Sequence, residues 1–466
     1  MASAANGTET RPRIIPRPEH NVSRTQISNN ALKVLYRLRD AGYQAFLVGG
    51  GVRDLLLGRE PKDFDIATDA HPEDVRRLFR NCRLIGRRFR LAHVYFGRDI
   101  VEVATFRAAD DETDTDDNAL LLKDGDGRIL RDNRYGSIDD DVWRRDFTAN
   151  SLYYNIADFS IWDYTGGVED IRAGVLRLIG DADARYREDP VRLLRAVRFA
   201  AKLGFRIEAS TEAPLRSFAA LLEAVPPARL FDEVMKLFLG GYAVPSYELL
   251  RRYGHFRQLF PAVDALLDSE AGEPYRALLL EALANTDQRV AADEPVTAVF
   301  LFSVLLWGPT RRRAARLEEA GETPMQALLL AADEIVDAQQ SHVAIPRRIT
   351  TPMKEMMVMQ LRLQKTKGRR VLGMIGHPRF RAAYDFLLLR ARIGDAEPAL
   401  AEFWTGLQTM DGQAREAAVE PGSRRARTQE DAGTAADPAA EAGTATPARP
   451  RRRRRPRRRK PGGSTG

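Results

Sequence analysis

LVGGGVRDLLLG, residues 47 to 58, followed by KDFDIAT, residues 62 to 68, is the stretch whose reading decides the fold. AFLV at 45–48 reads as a short buried strand, Gly49-Gly50-Gly51 as a turn, and Val52 to Leu57 as a helix that stops at Gly58. A strand that turns on glycine into a helix gathers backbone N–H groups and the positive helix end at one point, which suits phosphate. It is not a Walker A, because no GxxxxGK[ST] follows, and it lacks the spacing of a dinucleotide fingerprint. Taken alone it is equally a tight glycine turn. DFDIAT then alternates like a strand, and Asp63 and Asp65 at i and i+2 share a face. Two adjacent carboxylates repel, and a hard divalent cation relieves them, Mg²⁺ taking one or two carboxylates together with substrate phosphates. The competing reading leaves both aspartates on an exposed strand.

Upstream, Ala31 to Ala41 spaces Leu32, Leu35 and Leu38 on one helical face before Gly42, and residues 1–28 read as a loose basic arm. Downstream, Pro72 opens a helix carrying Val75, Leu78 and Phe79, and RLAHVYF (90–96) with DIVEVATFR (99–107) reads as a hairpin around Gly97. Glu102 is a lone acid in an otherwise apolar strand. It is either a third ligand or general base of a two-metal site, or the solvent-facing position of an edge strand. His93 reads as a satisfied core histidine rather than a catalytic base. The acidic run DDETDTDDN (110–118) lacks the spacing and closing Glu of a calcium loop and reads as solvated. Helix, strand, helix, strand, helix and a meander make a small mixed α/β domain. Beyond about residue 143 strand signals fade and helices dominate to about 409.

At 466 residues and 44% hydrophobic, the chain is expected to hold two to four domains with real cores. Cys82 is the single cysteine, which excludes a disulfide framework and a Cys-rich zinc site and suits a reducing, cytoplasmic setting. No signal peptide or transmembrane segment is expected, because no apolar run is long enough for either. The net charge of +7 lies in the tail: residues 411–466 carry 14 Arg and Lys against 7 Asp and Glu, and end in PRRRRRPRRRKPGG. With Val419 its only large aliphatic residue, that tail is expected to be disordered.

The motif at 47–68, RRDFTANSLYY (144–154), DYTGGVEDI (163–171) and REDPVRLLRAVRFAAKLGF (187–205) together resemble the class II nucleotidyltransferases, the family of CCA-adding enzymes and bacterial poly(A) polymerases. The resemblance runs from about residue 30 to 240, and LIGRRFRLAHVYFG (84–97) with the Arg-rich tail is similar to the poly(A) polymerase branch. Asp189, Arg192, Arg195 and Arg198 recur every three residues along one helix, opposite Val191, Leu194 and Val197. By spacing alone this stripe is either an intrahelical salt-bridge ladder or a protein template for a base edge and triphosphate. The resemblance implies the template, with Asp189 and Arg192 at the base. It also implies phosphate contacts from Gly49, Gly50, Arg53, Arg144 and Arg145, and a catalytic or ribose-binding role for Asp146 beside Asp63 and Asp65.

The expected fold class is α+β: a nucleotidyltransferase (polymerase β-like) head at 29–160, an all-helical neck at 161–240 and body at 241–410, and a basic tail at 411–466. The expected activity is template-independent addition of AMP from ATP to RNA 3′ ends with two Mg²⁺ or Mn²⁺ ions, promoting RNA turnover. RNA-decay proteins are expected as partners through the tail. A CCA-adding tRNA nucleotidyltransferase is the nearest rival, although no His-Asp dipeptide marks an appended phosphohydrolase domain. A non-catalytic RNA-binding scaffold is the rival of another class.

Overall fold

The computed structural model describes residues 11–86, 90–108, 121–123, 129–132 and 134–420. The acidic run at 110–118, residues 87–89 of the branch-specific segment, residues 1–10 and the tail from 421 lie outside the described residues.

The head is built on an eight-stranded sheet. In chain order its strands are β1 (Arg13–Ile15), β2 (Ala45–Val48), β3 (Asp65–Thr68), β4 (Cys82–Ile85), β5 (Leu91–Phe96) and β6 (Asp99–Thr105). A separate pair, β7 (Leu121–Lys123) and β8 (Ile129–Asp132), comes next, then β9 (Leu152–Asn155) and β10 (Ile161–Asp163) complete the sheet. The sheet order is β1-β10-β9-β2-β3-β6-β5-β4. β2 is buried at all four positions because both faces are covered. Leu47 faces the main core with Val52 and Leu55, while Phe46 and Val48 face a smaller cluster with Phe106, Val142 and Tyr153. Helices α1 (Asn29–Asp40), α2 (Gly50–Leu56) and α3 (Pro72–Leu78) supply the main-core side, and α4 (Ile138–Arg144) supplies Ile138 and Val142 to the smaller cluster. α1 is capped by the Ser28 hydroxyl, which accepts from Ala31 N at 3.2 Å, and buries Ala31, Val34, Leu35 and Leu38.

Four expectations are corrected. Strands do not end at about residue 143: β9 and β10 lie beyond it, and within 161–240 Val175–Leu176 also pairs in parallel with Arg206–Ile207, pieces too short to show a period. Residues 11–28 are not a loose arm: β1 pairs antiparallel with β10, and Ile15, Val22 and Ile27 are buried in the head core. Three scattered apolar residues suffice to tack the segment down, and they leave no periodicity to read. Strand β3 begins at Asp65, so Asp63 precedes it rather than lying on it. The tail starts later than 411, because Gly412–Val419 is a helix capped by Asp411. Val419 is buried there and its carbonyl accepts Gly368 N at 2.8 Å.

The bend at 163–171 joins head to neck. Asp163 accepts from Gly167 N and Val168 N at 2.9 Å each, capping α5 (Gly167–Ala173). A side chain on Gly167 would come within 2.3 Å of the Thr148 carbonyl, so glycine is required by close approach. After α6 (Ala182–Glu188), α7 (Val191–Leu203) buries Val191, Leu194 and Val197 as expected, and also Leu193, Ala196 and Arg192. It ends at Gly204 with φ +72°. α8 (Ala209–Ser217) and α9 (Pro227–Phe238) follow, α9 packing on α7. Helices from Ala243–Arg252 to Gly412–Val419 form the rest, and the main hydrophobic core continues through them.

Candidate active site

A cleft of about 650 Å³ is lined by head residues from the glycine turn, the Asp63–Asp65 segment and residues 144–146, and by neck residues from α7 and α9. Gly49 holds φ +69° and ψ −133°, a backbone conformation open to glycine alone, and it sets the chain into α2. Beneath the turn, the Arg53 guanidinium is 2% exposed. It pairs with Asp54 at 2.6 Å, donates to the Asn150 amide oxygen and lies 5.4 Å from the Phe199 ring centre. Arg53 is therefore a fixed positive charge in the wall under the turn.

Asp65 lies at the strand end opposite this wall. Burial, then the charges of Glu102 and Asp63, push its carboxyl up to about 6, with Arg145 pulling the other way. Asp63 is exposed at the cleft, while Glu102 is outside the lining residues, one strand over. In the parallel pair of β3 with β6, Ile66 stands opposite Val103, which places Asp65 beside Glu102. Among the described residues no three acidic, histidine or cysteine side chains close on one point. A mutually repelling carboxylate pair open to a cleft fits a divalent ion whose remaining ligands are water and substrate oxygens.

Asp146 is committed to an arginine. Its Oδ2 accepts from Arg195 Nε at 2.7 Å and its Oδ1 from Phe147 N at 2.8 Å. Burial opposes ionisation, but Arg195 outweighs it and holds the carboxyl down at about 2. Arg144 donates to the Ala108 carbonyl. Arg145 donates to Asp141 at 3.0 Å and to the Tyr153 hydroxyl at 2.6 Å, stacking 4.8 Å over that ring.

The arginine stripe of α7 is not an intrahelical ladder, and its acid is not on the helix: Asp189 is the extended residue that ends α6, and α7 begins at Val191. Arg192 pairs back to Glu188 of α6 at 2.8 Å. Asp189 accepts from Arg229 of α9 at 3.1 Å, Arg195 reaches Asp146 of the head, and Arg198 reaches Glu233 of α9 at 3.0 Å. Arg198 does not line the cleft; it braces Glu233, which does. Gly49, Gly50, Arg53, Asp63, Asp65, Arg144, Arg145, Asp146, Asp189, Arg192 and Arg195 all line it together.

Sequence reasoning missed two groups. Arg185 of α6 donates to the carbonyls of Arg144 and Arg145 at 3.0 and 2.6 Å, bolting that segment to the neck, and burial beside Arg192 brings its pKa down to about 10. The second group is Arg229, Asp232, Glu233 and Lys236 of α9, which line the far wall. Their i, i+3, i+4, i+7 spacing opposite Leu230, Val234 and Leu237 was the available signal.

Residues 45–177 match the family model of the poly A polymerase head domain, 204–267 the probable RNA and SrmB-binding site of polymerase A, and 320–460 the polymerase A arginine-rich C-terminus. Poly(A) polymerase I of Escherichia coli O6:H1 is 48% identical over 433 residues, 91% of this chain and 93% of that protein. The chain belongs to the poly(A) polymerase family. A CCA-adding enzyme of Leuconostoc mesenteroides is 38% identical, but over only 48% of this chain and 53% of its own length. The poly(A) polymerase fold extends further than that sequence similarity. A tRNA-processing enzyme solved in an apo form superimposes with TM-score 0.53 at 21% identity, covering 82% of this chain and 97% of the other.

Proposed function

We propose that the protein extends RNA 3′ ends with AMP taken from ATP, without a template. The RNA 3′ oxygen attacks the α-phosphorus, the bond to the β-phosphate oxygen breaks, pyrophosphate leaves and the hydroxyl proton passes to solvent. The observation that carries this reading is the convergence of the Asp63–Asp65 pair, the glycine turn and the α7 stripe on one cleft, in a chain similar over nine-tenths of its length to poly(A) polymerase I.

Asp63 and Asp65, with Glu102 beside them, would hold Mg²⁺ or Mn²⁺. Such ions, held by these residues, would supply a lowered pKa at the 3′-hydroxyl and charge stabilisation at the leaving oxygen. The chain's own residues do the positioning. The turn at Gly49 and Gly50 offers backbone N–H groups to the triphosphate, and Arg53 and Arg145 supply charge fixed in advance by Asp54, Asp141 and Tyr153. Asp146 aims Arg195 into the cleft as a positioning residue. Asp189 and Arg192 present an acceptor and donors to the base, with Arg229 fixing the carboxylate of Asp189. Preorganised charge and in-line placement carry the rate. The basic tail adds attraction for RNA, and RNA-decay proteins are its proposed protein partners, in the cytoplasm.

Incubation with tRNA and with unrelated RNA, each NTP supplied separately, tests the proposal. ATP alone should give long extension on both RNAs, and Asp65→Ala should abolish it while fold and RNA affinity stay near wild type. Ordered incorporation of CTP and ATP that stops at three nucleotides would replace this reading with CCA addition, and more than a few per cent activity in folded Asp65→Ala would remove the carboxylate site.

A further inference from the structure

Across four neighbouring strands, β3, β6, β5 and β4, a polar row crosses the face of the sheet that carries Val48 and Ala67. Val48 pairs with Asp65, Asp65 lies beside Glu102, Glu102 pairs with His93, and His93 pairs with Arg83. Residues paired across strands point to the same face, so these side chains are neighbours in a line from the cleft to the sheet edge. The alternate positions, Ile66, Val103, Ala92 and Val94, point the other way into the main core.

Within this row His93 and Glu102 differ sharply. The His93 side chain is 12% exposed and that of Glu102 47%, and His93 Nε2 lies 3.2 Å from Glu102 Oε1. That nitrogen is enclosed and has no hydrogen-bond partner among the described residues, Glu102 Oε1 standing within ion-pair distance only, so a small turn of the mobile Glu102 side chain is what would satisfy it. A histidine kept only for packing would leave it stranded, a costly arrangement for a buried polar atom. Glu102, in turn, has a long flexible side chain half in water, and a carboxylate in that state loses rotamer freedom whenever it is fixed. A neighbour that restrains it beforehand removes part of that loss.

We infer that His93 is a positioning residue for the transfer reaction: it holds the Glu102 carboxylate beside Asp65, so that Glu102 is ready to ligate the ion there. The inference rests on the proposed role of Glu102 at the metal. His93 touches neither substrate nor ion; it acts through Glu102. Groups that stand behind metal ligands in this way change metal affinity by about 10–100-fold when removed.

The test is Mn²⁺ binding to the full chain, read by electron paramagnetic resonance in the presence of a non-hydrolysable ATP analogue, for His93→Phe, His93→Gln, Glu102→Gln and the His93→Phe/Glu102→Gln double variant. Melting curves identify folded variants. His93→Phe should weaken Mn²⁺ binding about 10-fold, lower kcat at limiting metal and leave RNA affinity unchanged, with activity restored by excess Mn²⁺. His93→Gln, which keeps an N–H donor, should stay within about threefold of wild type, and the double variant should lose no more than Glu102→Gln alone. Should His93→Phe fail to fold, His93→Leu takes its place. Folded His93→Phe or His93→Leu with Mn²⁺ affinity within about twofold of wild type, or additive losses in the double variant, overturns the inference while leaving Glu102 at the metal. Unchanged Mn²⁺ affinity in Glu102→Gln removes the underlying reading of Glu102 instead.

Discussion

Asp146→Asn removes one negative charge from the junction of head and neck while keeping the shape of the side chain. In the wild type, Arg195 closes on Asp146 with Nη2 at 2.5 Å and Nε at 2.7 Å, and Phe147 N and Asn150 hold the other oxygen. Burial would raise the carboxyl, but Arg195 and these bonds bring it from 3.8 to about 2. A folded-state pKa below the unfolded one stabilises the fold fully above about pH 4, and that stabilisation is lost as pH falls through about 2. At about 1.4 kcal/mol per pH unit the difference is worth about 2.5 kcal/mol. The Arg195 side chain is 32% exposed, and solvent screening trims the figure to about 2 kcal/mol. For a chain of this length that is about 2 °C in melting temperature. The variant should melt about 2 °C lower at pH 7, and the gap should close as pH drops below about 4. Its KM for ATP should rise, because Arg195 is no longer aimed into the cleft. Calorimetry across pH 3 to 7 measures the gap, and equal melting at pH 7, or a gap that widens on acidification, would refute the reasoning.

Two further outcomes follow from charge placement. Deleting residues 421–466 removes 13 basic and 4 acidic side chains, leaving residues 1–420 at a formal charge of −2. RNA affinity should fall, and the log–log salt slope should flatten by about three if four phosphate contacts are lost, with turnover on saturating RNA nearly unchanged; parallel slopes for the two proteins would exclude the tail as an RNA contact. His255 donates from Nε2 to the Leu215 carbonyl at 2.9 Å, while its Nδ1 is buried without a partner among the described residues. Burial brings its pKa down to about 4, so the folded state resists protonation and loses up to about 3 kcal/mol as pH falls from about 6.5 towards 4. His255→Gln should flatten that part of the stability–pH curve, and an unchanged curve would contradict the assignment.

Local features of the site were legible in the sequence because they are contiguous. The glycine turn and the arginines of α7 each lie within one or two elements, where period and turn chemistry report directly on geometry, although the same periods put Asp63 on β3 and Asp189 on α7 when each precedes its element. Where each side chain finds its partner was not legible, since Arg195 meets Asp146 at a separation of 49 residues and Arg229 meets Asp189 at 40. The same reason explains Arg198, whose place in the stripe matched the others but whose guanidinium turns to Glu233. It explains the arm too, where Ile15, Val22 and Ile27 are meaningful only against the sheet they cover.

These long-range pairs bear on how the cleft takes its substrate. The lining carries nine basic and seven acidic side chains, so the arginines proposed to face a triphosphate already face acids. Unpaired, they would repel one another and be drawn away by any stray anion. Held by Asp141, Asp146 and Asp189, they keep fixed directions, and the field they present exists before the nucleotide arrives. A polyanion entering alone would also meet the exposed Asp63 and the partly buried Asp65. Entering with divalent ions, it would neutralise those aspartates and leave the oriented arginines to act on the remaining phosphate charge, so the proposed reading predicts a cleft that favours the metal-bound nucleotide over the free one.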